Sequence, residues 1–201
     1  LNEIKRIYRG WYWISERYKD VWEFLAKDKN FKVIIKQTAA SIWNYDFVHR
    51  DIYRLAVKDK SYKKALEKFA KVMGWRFEVE CYDKIPYEYK TINGLNIETP
   101  ESSIVSCMAE WSFIDAFAVL YFRRNEISLS KIKQLGRWKR ISKTNLRVWT
   151  AVKYGCKLFN EHFDQKIFNV RSVELKQNEV KELIKEAIEK VVEFAYCLLY
   201  T

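Results

Sequence analysis

Chain breakers are scarce: five glycines and two prolines stand in 201 residues. So few encoded turns favour long helices and argue against a disordered or low-complexity chain. The glycines are isolated, which excludes the phosphate-cradling patterns GxGxxG and GxxxxGK[ST]. Histidine is rarer still. His49 and His162 are far apart, and neither sits in a metal-ligand pattern. The four cysteines, Cys81, Cys107, Cys156 and Cys197, form no CxxC pair and lack the spacing of a zinc site, so they read as buried free thiols. Long apolar runs without charge are also missing. The most apolar stretch, SIVSCMAEWSFIDAFAVLYF (103–122), carries Glu110 and Asp115 and reads as a buried helix, giving no transmembrane segment. The first residues, LNEIKRIYRGWYW, are charged from the outset and do not read as a secretory signal peptide.

What is present is apolar, aromatic and basic. Hydrophobic residues make up 49% of the chain and aromatics 16%, enough for a core without disulfide or metal support. Many Lys, Ile, Tyr and Glu beside few Gln resemble the usage of proteins from hot environments. The formal charge of +11 is unevenly spread. Residues 1–76 hold 18 Lys and Arg against 9 acids, residues 77–130 hold 4 against 9, residues 131–171 hold 11 against 2, and residues 172–201 hold 4 against 6. From Lys131 to Lys157 there is no acidic residue. A solvated helix face ordinarily mixes both signs; an unmixed block calls for a polyanion, of which nucleic acid is the commonest.

Apolar spacing predicts a mainly α fold: a helical bundle with long amphipathic helices and one short β-hairpin or irregular insertion. Residues 1–201 are expected to form a single helical domain, with a basic helical part at 1–76, an acidic hairpin or loop excursion at 77–98 and a helical part at 99–201. The first helix is placed at 3–27, where Ile4, Ile7, Tyr8, Trp11 and Ile14 recur at three and four. A second follows from Phe31 to Ile42. A third carries Ile52, Leu55 and Ala56, then Tyr62 to Val72, broken near 59–61 and stopped at Gly74. Asn93-Gly94 is expected to turn the hairpin. Thr99-Pro100 should start the buried helix, and Ser128 or Ser130 should cap the basic one. The last helix alternates Glu and Lys opposite a stripe from Val180 to Ala195.

The candidate nucleic-acid-binding residues are Lys5, Arg6, Arg9 and Arg17 on the first helix, and Lys133, Arg137, Lys139, Arg140, Lys143, Arg147 and Lys153 in the acid-free block. A helix continuing through Gly136 would gather Lys133, Arg137, Arg140, Lys143 and Arg147 on an arc of roughly 120°; Gly136 or ISKTN would otherwise break it. The trough so formed would contact phosphates, which position a duplex without reading its sequence, so binding should be shape-directed or non-specific. No catalytic residue, metal site or cofactor is indicated, and the chain does not read as an enzyme. One alternative is a PD-(D/E)xK-type Mg²⁺-dependent nuclease or an inactive relative, because Glu88-x-Lys90 on a possible strand follows Glu78, Glu80 and Asp83. A third reading is a chromatin-like or regulatory DNA-binding protein.

The segment EIKRIYRGWYWISERYKDVW as a basic amphipathic helix, together with GRWKRISKTNLRVW, resembles the major capsid proteins of filamentous archaeal viruses of the rudivirus and lipothrixvirus type. The resemblance implies helical subunits, self-associating or paired with a related second capsid subunit, that wrap double-stranded DNA and hold it in A-form. The expected location is a virion nucleocapsid or the cytoplasm.

Overall fold

The computed structural model describes residues 4–8, 10–14, 18, 20–171 and 173–200. It corrects the expected fold class: the chain is α/β, with eight helices among the described residues, 52% helix, 15% strand and a five-stranded mixed sheet. The first strands are β1 (Ile4–Tyr8) and β2 (Trp11–Ile14), followed by α1 (Val21–Lys27), β3 (Lys32–Ile34), α2 (Lys36–Trp43), β4 (Ile52–Val57), α3 (Lys60–Met73), β5 (Arg76–Cys81), β6 (Tyr89–Ile92) and β7 (Leu95–Glu98). Then come α4 (Pro100–Ala109), α5 (Phe113–Phe122), α6 (Leu129–Gly136), β8 (Arg140–Ile141), β9 (Leu146–Arg147), α7 (Val148–His162) and α8 (Asn178–Tyr200).

The helix expected at 3–27 is instead a hairpin and a short helix. β1 and β2 pair antiparallel, Ile4 opposite Ile14 and Arg6 opposite Tyr12, and Gly10 takes the positive φ of 73° that a tight reversal needs. The hairpin wins because aromatic and β-branched residues here suit a strand as well as a helix, and only a reversal exploits Gly10. α1 begins after Asp20, whose carboxylate accepts from the Glu23 N–H at 2.8 Å. Lys5 and Arg6, expected on the first helix, therefore lie on β1. Arg9 and Arg17 lie outside the described residues.

Two compact units are resolved: Leu1–Ala39 with His49–Thr99, and Ala40–Val48 with Pro100–Thr201. In the first, the sheet order is β5-β4-β3-β7-β6. β3 pairs antiparallel with β4 and parallel with β7; α3 crosses between the parallel strands β4 and β5; β6 and β7 form a hairpin. Asn93 (φ 49°) and Gly94 (φ 81°) make its two-residue turn, as the sequence suggests. The expected second and third helices each begin as a strand. Val33, Ile34 and Ile35 are fully buried or nearly so, and a short apolar run buried on both faces carries no period that separates strand from helix. Asp59 then caps α3, accepting from the Ser61 and Tyr62 N–H groups, and Gly74 ends it in the left-handed conformation.

Alternation sends the two faces of this sheet to different partners. Phe24, Phe69, Trp75 and Phe77 cluster with ring centroids 4.6–6.4 Å apart, uniting α1 and α3 with β5. Val33, Ile35 and Ala56 pack instead against Tyr82, Ile85 and Tyr87 of the β5–β6 connection. Above that patch the Lys36 ammonium and the Tyr82 and Tyr87 hydroxyls all donate to the Glu80 carboxylate. Burial alone would raise the Glu80 carboxyl, but those donors outweigh it and hold it below the usual glutamate range. The buried Glu98 carboxylate accepts the Lys36 N–H at 2.6 Å, compensating a residue held at φ 55°.

In the second unit α4 is the central element, buried from Pro100 to Met108, and α5, α6, α7 and the β8–β9 hairpin surround it. The buried helix expected at 103–122 divides into α4 and α5 at Trp111 (φ 64°), where the Ser112 N–H reaches back to the Cys107 carbonyl at 2.9 Å in a left-handed helix stop. Phe117 of α5 lies directly under Gly155 of α7. The α8 stripe of Val180, Ile184, Ala187, Ile188, Val191, Val192 and Ala195 is buried as its spacing predicts. No helix among the described residues is long and apolar enough to cross a membrane.

Candidate nucleic-acid interface

The acid-free block forms neither one helix nor an irregular loop. It folds as helix, hairpin, helix: α6, β8–β9, α7. α6 starts where Ser128 Oγ accepts the Lys131 N–H at 3.4 Å, while Glu101 of α4 accepts the Ser128 N–H at 3.2 Å and lies 3.8 Å from the Lys131 ammonium. A buried carboxylate at this end both satisfies an orphan N–H and complements the helix dipole, fixing where α6 begins. Ile132 and Gly136 turn inward and are buried. Ser130, Lys133, Gln134 and Arg137, spaced by three and four, therefore share the other face.

The hairpin follows at once. Ile141 opposite Leu146 anchors it, both buried, so Arg140 and Arg147, the other cross-strand pair, project together from the outer face. The reversal uses Asn145 at φ 53°, and the Arg140 guanidinium donates to the Asn145 carbonyl at 3.1 Å. β9 runs directly into α7, which brings Trp149 beside Arg147. Ser130, Lys133, Gln134, Gly136, Arg137, Arg147 and Trp149 thus line one open groove of about 520 Å³.

The helical arc through Gly136 is not formed, because α6 ends there. Three of its members, Lys133, Arg137 and Arg147, nevertheless meet in the groove. Arg140 adjoins them through the hairpin register. Lys139 is exposed at the hairpin entrance, and Lys143 at its tip has its ammonium 5.0 Å from the Trp111 ring centre. Lys153 is half-buried one turn beyond Trp149 on α7. Trp138 is 80% exposed, with the Arg137 guanidinium 4.9 Å from its ring centre. Lys5 and Arg6 lie on β1 in the first unit.

No carboxylate among the described residues neutralises the cations of this face. Among the described residues, none of Lys133, Arg137, Lys139, Arg140, Lys143, Arg147 and Lys153 forms an ion pair. Pairing resumes where the acid-free run ends: Lys157 reaches Glu161 at 3.3 Å, and Lys185 reaches Glu182 at 2.9 Å. Two arginines directly opposite across a hairpin repel by about 0.2–1 kcal/mol. An external anion removes that cost.

The nuclease arrangement is not assembled. Glu78 and Glu80 lie on β5 and Glu88-x-Lys90 at β6, and these are the opposite edges of the five-stranded sheet rather than neighbouring strands. Glu78 instead pairs with Arg54 at 3.0 Å. No group of three or more His, Cys, Asp or Glu residues placed to hold a metal occurs among the described residues. None of the four cysteines is in a disulfide; Cys107 and Cys156 are buried as expected, whereas Cys81 is half-buried and Cys197 exposed, and burial pushes the Cys156 thiol up to about 12.

Sequence reading missed Ser130, Gln134 and Trp149 as members of this face. Its signal was the spacing 130, 133, 134, 137, legible only once the end of α6 is known. Comparison with protein-family models, curated proteins and solved structures finds no match to this chain.

Proposed function

We propose that this protein binds duplex nucleic acid, presenting α6 and the β8–β9 hairpin of its second unit to the duplex. The observation that carries the reading is the set of six exposed cations, Lys133, Arg137, Lys139, Arg140, Lys143 and Arg147, gathered on one helix and one hairpin with no intramolecular carboxylate partner. An unmatched cationic face of this kind costs self-repulsion and gains it back when phosphates displace condensed counterions. The capsid resemblance implies helical subunits, whereas the chain is α/β, so the proposal is confined to duplex binding.

Fluorescence anisotropy with a labelled duplex of about 20 base pairs tests it. Six cations that each displace one condensed counterion from the duplex give a slope of log K against log salt of about −5. A flat salt response would overturn the proposal. Added Mg²⁺ should leave the bound duplex uncut; cleavage lost on Glu88→Ala would instead favour the nuclease reading.

A further inference from the structure

The groove-lining face of α6 is not purely cationic, and its composition bears on what the bound duplex must offer. Phosphate oxygens only accept hydrogen bonds, so lysine and arginine satisfy them fully. Gln134 sits between Lys133 and Arg137 on the same exposed stripe, and its amide brings an acceptor as well as two donors. Among the described residues its side chain makes no intramolecular hydrogen bond. An acceptor in the middle of a phosphate-facing stripe gains nothing from phosphate; it gains from a base edge that presents donor and acceptor together, which adenine does in the major groove through N6–H₂ and N7.

The dimensions agree. α6, a helix of eight residues, is about 10–12 Å across with its side chains, and the major groove is about 12 Å wide and admits a helix. Gln134 and Arg137 are separated along the axis by about 4.5 Å, close to the step of about 3.4 Å between stacked pairs, which places them over neighbouring base pairs. The Arg137 fork matches guanine N7 and O6. Arg140 and Arg147, on the outer face of the adjoining hairpin, are then left for the backbone beside the groove.

Resting on the duplex-binding reading, we infer that α6 enters the major groove of DNA and reads a short purine step, adenine through Gln134 beside guanine through Arg137. Binding is then sequence-selective rather than shape-directed alone.

Selection of bound duplexes from a randomised pool, followed by sequencing, tests this with wild type, Gln134→Ala and Arg137→Lys. Wild type should enrich a site with adjacent adenine and guanine by about tenfold or more over random sequence. Gln134→Ala should lose the preference at the adenine and keep the guanine preference, and its salt slope should match that of wild type because no charge is removed. Arg137→Lys should keep the salt slope and flatten the guanine preference, since a point charge lacks the fork. Uniform binding of all duplexes with a steep salt slope overturns the inference and leaves duplex binding standing. An enriched site that survives Gln134→Ala unaltered also overturns it. Failure to bind any duplex removes both readings.

Discussion

Replacing Lys133, Arg137 and Arg147 together by alanine removes the three cations that line the groove and leaves the buried anchors Ile132, Ile141 and Leu146 in place. If each of the six cations displaces one condensed counterion from the duplex, the wild-type slope of log K against log salt is about −5 and the triple variant's about −3. Between 50 and 200 mM salt the wild-type affinity then falls about 1,000-fold and the variant's only about 60-fold. Net charge alone would mimic part of this, so a second triple variant supplies the control. Lys181, Lys185 and Lys190 on α8 stand among interleaved glutamates, with Lys185 bonded to Glu182. Their replacement lowers the formal charge of +11 by the same three units, but it should leave the slope near −5. Anisotropy titrations at five salt concentrations with a duplex of fixed sequence measure all three proteins. Equal slopes for the two variants would refute the assignment of the groove, because the attraction would then follow total charge rather than place.

Two predictions concern the scaffold. Gly155→Ala puts a methyl 2.0 Å from Phe117 Cε1 and 2.3 Å from its Cζ, inside a ring already packed on Phe159. Alanine is the better helix former by about 1 kcal/mol, yet overpacking costs typically 1–3 kcal/mol and should exceed it here, where the overlap is with a rigid ring; a raised urea midpoint would contradict this. Glu80→Gln removes a carboxylate that accepts from Lys36, Tyr82 and Tyr87 and should destabilise the protein by about 2 kcal/mol near neutral pH. Because the folded carboxyl titrates below its ordinary value of 4.5, its contribution is complete above that value and is lost as pH falls through the depressed one. The gap in melting temperature between wild type and variant should therefore close on acidification from pH 7 towards pH 3, and a gap independent of pH would refute the role given to Glu80.

Local chemistry was legible wherever a few adjacent residues sufficed. Asn93-Gly94 turns the β6–β7 hairpin because both residues tolerate positive φ, Gly74 stops α3 for the same reason, and Ser128 caps α6. The fold class was not legible. β3 owes its strand state to β4, and to a parallel pairing of Ile34 with Ile97 some sixty residues away. Neither partner leaves a trace in the spacing of FKVIIK. Trp111 at φ 64° divides α4 from α5 with no glycine to announce it.

The amino-acid sequence by itself determined the electrostatics: where the cations lie along the chain, and that no acid is interleaved with them from Lys131 to Lys157. Charge is a property of composition and survives any folding. Only the tertiary structure decided which of those cations share a face. A helix running through Gly136 would have set Arg147 by a period of 3.6, whereas pairing with Arg140 across a hairpin sets it by a period of two. That change of period brings Arg147 to Lys133, Gln134 and Arg137 in one groove. Lys5 and Arg6 stand on a strand of the other unit, where no helical arc gathers them.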